Sequence, residues 1–264
     1  MILTVFISCI VLGSAVGFLA GLLGIGGGLI IVPALIYLLP MVGVSPDIVF
    51  PMALGTSLAA IVITSSSAAF AHHKNTNIPW QLAKKLMVLV AVGAFIGAFI
   101  ADSLSAELLT GFFSIIVILL ALYMLLSIKI TKTRALPTGY VLQLLSFITG
   151  ITSSLMGIAG GAILVPSLSF FGLPVRHAIG IATACGVVVA LFGSIGYIIT
   201  GLNQADLPQW SLGYIYLPAL LGIVISSSLA APLGVKLASK LPIKILKKFF
   251  AVFLIFVALK MMLG

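Results

Sequence analysis

Gly24-Ile25-Gly26-Gly27-Gly28-Leu29-Ile30-Ile31-Val32-Pro33 is the stretch whose reading decides the fold. It lies inside a long apolar region, 2–39, not in a polar turn. A glycine costs a helix about 1 kcal/mol relative to alanine, so four of them in positions 24–28 break it. In hydrocarbon, broken backbone is tolerated only where protein or water covers it. The stretch recurs 133 residues later as Gly157-Ile158-Ala159-Gly160-Gly161-Ala162-Ile163-Leu164-Val165-Pro166, with seven of ten positions identical. The chain therefore reads as two copies of one unit, 1–131 and 132–264, each with an interrupted apolar segment. Paired interruptions of this kind mark the binding site of a secondary transporter.

Composition sets the class. The 264 residues are 62% hydrophobic and 6% charged, against about 25% charged in a soluble domain. With a mean hydropathy of +1.38, this is the profile of an all-α polytopic protein embedded in a lipid bilayer. The strands of about ten alternating residues that build a membrane β-barrel are missing. The net charge of +9 reports topology, not nucleic-acid binding, because the bases sit in short loops between apolar spans. Met1-Ile2-Leu3-Thr4 offers no basic leader, so the first apolar segment is expected to stay. Cys9 and Cys185 lie in apolar spans without metal spacing, and read as buried small side chains. No metal and no cofactor is expected.

The remaining apolar regions are 48–70, 86–101, 107–128, 140–171, 177–200, 212–235 and 245–263. A span takes roughly 17–25 residues, so 2–39 and 140–171 are too long for one crossing. Loops 71–85, 129–139 and 236–248 carry most of the Lys and Arg. Loops 40–47, 101–107 and 201–211 hold no base and every acid, namely Asp47, Asp102, Glu107 and Asp206. Cytoplasmic loops are rich in Lys and Arg. The three basic loops share one side only if 140–171 goes in and returns as a hairpin. By repeat symmetry 2–39 is a hairpin too. Each copy then has five segments, an odd number, which inverts the second copy relative to the first. The expectation is two inverted five-segment repeats, about eight to ten transmembrane helices with two glycine-broken hairpins. Both termini would lie outside, with Lys260 as the one base on the wrong face.

The polar groups at depth are hydroxyls, Ser194 among them, and glycines; no charged residue lies mid-span. Proton pumps usually carry a carboxylate or histidine there. Helix starts exposed by a glycine turn offer free N–H groups and about half a positive charge. Two such starts, at Gly27 or Gly28 and at Gly160 or Gly161, would converge near the midplane and hold a small anion without a formal cation. The candidate substrate-binding residues are Gly24, Gly26, Gly27, Gly28, Thr56, Ser57, Ser153, Ser154, Gly157, Gly160, Gly161 and Thr183, with Pro33 and Pro166 as structural hinges. Thr56 and Thr183 could instead bond back to their own helices. Gly13, Gly17 and Gly21, and Gly93 with Gly97, at four-residue spacing, read as close helix packing. His72, His73 and Lys74 read as a solvated loop, and no nucleophile–base set or nucleotide fingerprint is present, so no enzyme is expected.

The duplicated Gly-Ile-Gly-Gly-Gly-x-x-x-Val-Pro pattern and the following Gly55-Thr56-Ser57 resemble the TauE/SafE sulfite exporters, also called the TSUP permeases. The resemblance runs from about Phe6 to Met262. It implies transport, often outward, of small sulfur-containing anions such as sulfite and sulfonates across a bacterial inner membrane. The second copy departs from the pattern at Ala159 and Ala184, which makes the first copy the safer half-site. An anion channel, or a membrane subunit without transport of its own, are the competing readings.

Overall fold

The computed structural model describes residues 2–23, 27–126, 139–204, 206–238 and 243–263. Among them are ten α-helices. In order they are α1 (Ile2–Leu23), α2 (Gly28–Leu38), α3 (Pro46–Lys74), α4 (Trp80–Asp102), α5 (Ala106–Leu126), α6 (Tyr140–Leu155), α7 (Gly161–Phe170), α8 (Val175–Gly201), α9 (Leu217–Ala238) and α10 (Ile243–Leu263). Four of the described stretches, Pro46–Lys74, Trp80–Asp102, Ala106–Tyr123 and Val175–Gly201, are long and apolar enough to cross a membrane. The chain is a mostly helical, multi-pass membrane protein.

The two long apolar regions both fold as hairpins of unequal arms. The returning arms, α2 with 11 residues and α7 with 10, rise only about 16 and 15 Å, against hydrocarbon of about 30 Å. They are half-helices, begun at a glycine turn and carrying Pro33 and Pro166. Each proline removes an N–H that a carbonyl one turn earlier would have used. α2 runs into a 3-10 turn, Leu39–Val42, and then into the start of α3. α7 runs into the start of α8.

α3 and α8 pack antiparallel at the centre. The start of α3, the end of α4 and the end of α8 share one end of the bundle, because Asp47, Asp102 and Gln204 line one pocket there. At the other end the carbonyl of Asn77, just after α3, lies against Gly180 in the opening turns of α8. Lys74, Lys84 and Arg176 belong to that basic end. Lys260, the expected exception, sits with Nζ 4.6 Å from the centre of the Tyr37 ring near the end of α2, so an aromatic face receives its charge.

Around this centre α1 packs on α9, α4 on α6, and α5 on α10. Gly13, Gly17, Gly93 and Gly97, read from the sequence as packing sites, lie in these seams. A Cβ on Gly13 or Gly17 would collide with the α9 backbone at Ile223 and Ser227. One on Gly93 would meet the Phe147 carbonyl of α6, and one on Gly97 would stand 2.8 Å from the Ile151 carbonyl. Small residues let membrane helices approach this closely.

One element departs from the all-helical expectation. The apolar region read as a span from 212 begins instead with a two-stranded antiparallel ribbon, β1 (Ser211–Leu212) and β2 (Ile215–Tyr216), and helix starts at Leu217. Gly213 turns the ribbon with φ +55°, and the amides of Tyr214 and Tyr216 bond across to α8 and α3 instead of within a helix of their own. Composition alone hides this, because Tyr and Ile are as apolar in a ribbon as in a span.

Candidate functional site

The two glycine stretches meet. Gly28, the first residue of α2, has no room for a side chain: a Cβ would stand 2.5 Å from the Gly157 carbonyl oxygen and 3.0 Å from the Ile158 Cα. Gly157 itself has φ +60°, and a Cβ there would meet Val32 at 2.8 Å and Leu54 at 3.0 Å. Ser57 on α3 donates from Oγ to the same Gly157 carbonyl at 2.7 Å. The junction of α2, α3 and the α6–α7 turn is thus closed by backbone contact and one buried hydrogen bond.

The start of α7 is different. A Cβ on Gly161 would meet nothing within 4 Å. Ile163 and Leu164 donate back to the Gly160 carbonyl at 3.3 and 2.9 Å. The amides of Gly161 and Ala162, as the first of the helix, have no carbonyl one turn back within it. Beside them stands Ser153 of α6: its Oγ is 3.6 Å from where a Gly160 Cβ would be, with Thr149 and Val189 closing the other sides. The Ser153 hydroxyl is fully buried and has no hydrogen-bond partner among the described residues. The hydroxyls of Ser154 and Ser194 are also buried without one. A buried polar group without a partner costs about 1–3 kcal/mol, and the one beside the α7 start calls for an explanation.

The other expected site residues fall in distinct places. Gly27 caps α2 in the left-handed region at φ +80°, whereas its counterpart Gly160 has φ −55°. Thr56 is buried and accepts from the Tyr216 amide at 3.0 Å. Thr183 donates to the Ile179 carbonyl of its own helix at 2.7 Å, the helix-bonded alternative. Gly24 and Gly26 lie outside the described residues.

Two residues were not singled out from the sequence. Tyr197 of α8 is fully buried and donates from its hydroxyl to the Ser154 carbonyl at 3.1 Å. Gly193, next to Ser194, lets α8 approach, since a Cβ there would lie 3.2 Å from Ser154 Oγ. A tyrosine within an apolar span was the available signal, because a buried phenol needs a partner. No group of three metal-ligating side chains occurs among the described residues.

A family model described as sulfite exporter TauE/SafE matches residues 9–261. The chain is 42% identical to a probable membrane transporter protein of Haemophilus influenzae, over 98% of this chain and 99% of that protein. It is 30% identical to a probable membrane transporter protein of Methanocaldococcus jannaschii, over 90% and 88%. A further relative of the same description in Bacillus subtilis is 28% identical over 90% and 91%. No solved structure matches the chain.

Proposed function

The chain belongs to the sulfite exporter TauE/SafE family, and from that premise we propose a secondary transporter that carries a small sulfur-containing anion, sulfite or an organosulfonate, on the open start of α7. Membrane transport is what the relatives' descriptions have in common. The observation that carries the finer reading is the Ser153 hydroxyl, buried and without a partner among the described residues, beside the N-terminus of a half-helix. Neutral donors and a helix N-terminus favour an anion. With no lysine or arginine at depth, the anion is held loosely enough to leave.

The two units are proposed as inverted repeats. The packing supports this: exchanging α1–α5 with α6–α10 turns the α1–α9 contact into the α6–α4 contact and leaves α3–α8 and α5–α10 unchanged. α2 also returns to the acidic end and α7 to the basic end. Rocking of one repeat against the other would alternate access. In a bacterial inner membrane with the basic loops cytoplasmic, an interior-negative potential of 100 mV favours expulsion of a monoanion by about 2.3 kcal/mol.

The test is counterflow in proteoliposomes of the purified protein with radiolabelled sulfite against unlabelled sulfite, thiosulfate, taurine, sulfate and acetate. Saturable flux stimulated by sulfite or a sulfonate on the far side is the expected result. Gly160→Val is expected to abolish it while the protein still inserts. Unchanged flux in that variant would refute the site. Large single-channel currents would refute a carrier in favour of a pore.

A further inference from the structure

The ribbon between α8 and α9 packs against α3 and α8 beside the acidic end. Its backbone runs in the groove between α3 and α8. Tyr214 donates its amide to the Tyr197 carbonyl at 3.1 Å, and Tyr216 donates its amide to Thr56 Oγ1 at 3.0 Å. Three glycines make the groove narrow. A Cβ on Gly55 would lie 2.9 Å from the Tyr214 carbonyl, one on Gly201 would collide with the Tyr214 amide, and one on Gly213 with the Ile198 carbonyl. Tyr214 and Tyr216 are buried.

Above the ribbon is a pocket of about 270 Å³, open at the acidic end and lined by Asp47, Asp102, Ser105, Gln204 and Tyr214 among others. Tyr214 contributes to its wall and donates its hydroxyl to Asp102 Oδ1 at 2.7 Å. Below it stand Thr56 and then Ser57, whose hydroxyl holds the Gly157 turn. Thr56 is ten residues into α3, about 15 Å from its start. The polar pocket at the acidic end therefore has a tyrosine in its wall, and that tyrosine's strap reaches Thr56, the neighbour of the serine that holds the α6–α7 turn. Burial, and then the Asp102 carboxylate, hold the Tyr214 phenol well above the usual tyrosine range, so it stays protonated and keeps donating.

We propose that Tyr214–Tyr216 is the gate on the acidic face: a backbone strap seated between α3 and α8, fastened at Asp102 and Thr56, that must leave the groove for a solute to pass between that pocket and the site. This rests on the transport reading above and adds which part moves. The opposite face has a weaker counterpart. There the Asn77 carbonyl lies against Gly180, five residues into α8, and Ile78 is buried. Among the described residues, no hydroxyl of α8 receives an amide from this segment.

The test uses Ser153→Cys with Cys9→Ala and Cys185→Ala, in vesicles of known orientation, and a membrane-impermeant methanethiosulfonate. With the strap intact, the thiol introduced at Ser153 is expected to react slowly from the acidic face. Adding Tyr214→Phe, which removes the bond to Asp102, is expected to speed that reaction at least tenfold. Fast reaction with the strap intact, or an unchanged rate in Tyr214→Phe, would overturn the gate. Neither readout depends on flux, so the gate and the transport reading can fail separately. A disulfide formed in the double variant Thr56→Cys, Tyr216→Cys supplies the second measure: oxidation is expected to prevent labelling of a third cysteine placed at Ser57 from the acidic face, and reductant to restore it. Labelling that persists after oxidation would also overturn the gate.

Discussion

α2 and α7 begin with nearly the same residues and end up in opposite situations. α2 is buried along Gly28–Pro33 and packs on α1, α3 and α10. α7 has only Leu164 and Leu168 buried, and packs mainly on α8. The start of α2 is pressed against the Gly157 carbonyl; the start of α7 has open space and an unpartnered serine beside it. One copy of the motif is wedged against the other's turn; the other has room at its first residue, and Ser153 beside it has no partner among the described residues. Ala159, where the second copy departs from the motif, is compatible with this. It is nearly buried at 7% exposure, and its Cβ packs 3.1 Å from where one on Gly186 would be.

The largest effect is expected where the wedge is tightest. Gly28→Val would drive its side chain into backbone at Gly157 and Ile158. Overpacking costs about 1–3 kcal/mol or more, and here neither neighbour is a flexible tip. The folded yield after detergent extraction, read by size exclusion, should collapse. The matched change Gly161→Val should leave a folded, monodisperse protein. If both variants fold equally, the contrast between the two starts is broken.

Serines give the next largest difference. Ser57→Ala leaves the buried Gly157 carbonyl without its donor, at about 1–3 kcal/mol, and should lower the midpoint of denaturation without being a site change. Ser153→Ala removes a buried hydroxyl that has no partner among the described residues, so the ligand-free protein should lose no stability and should gain up to about 1–3 kcal/mol, the cost of the unmet group. The half-saturation concentration for sulfite counterflow should instead rise about fivefold to tenfold, one hydrogen bond from a neutral donor being worth about 1 kcal/mol. A stability loss in Ser153→Ala with unchanged transport would reverse the assignment.

The smallest effect sharpens the comparison. Gly161→Ala puts a methyl group into open space at a helical position, where alanine is favoured over glycine by about 0.5–1 kcal/mol. A small gain in thermal stability with reduced sulfite flux is the expected pair of results. A gain in both would place the anion elsewhere.

Much of the fold was legible in the chain. Hydropathy marked the spans, the duplicated glycines marked the hairpins, and the distribution of Lys, Arg, Asp and Glu placed the ends of the helices. The roles of individual glycines were legible only where spacing carried them, as at Gly93 and Gly97. The unequal fates of the two motifs were not, because they depend on which helix covers each half-helix, and the local residues are alike. Thr56 shows the same limit. From sequence it could face a ligand or its own helix; in the structure it takes an amide from a segment 160 residues away. The ribbon that supplies this amide has the apolar composition of a span and no turn signal beyond Gly213.

The seams between α1 and α9 and between α4 and α6 have one more consequence, for the order of biosynthesis. Gly13 and Gly17 leave the ribosome some two hundred residues before Ile223 and Ser227, the backbone they are shaped to receive. Until then α1 has mainly α2 and the turn after it to pack on. Its glycine face is filled only when α9 is inserted, with α10 still to follow.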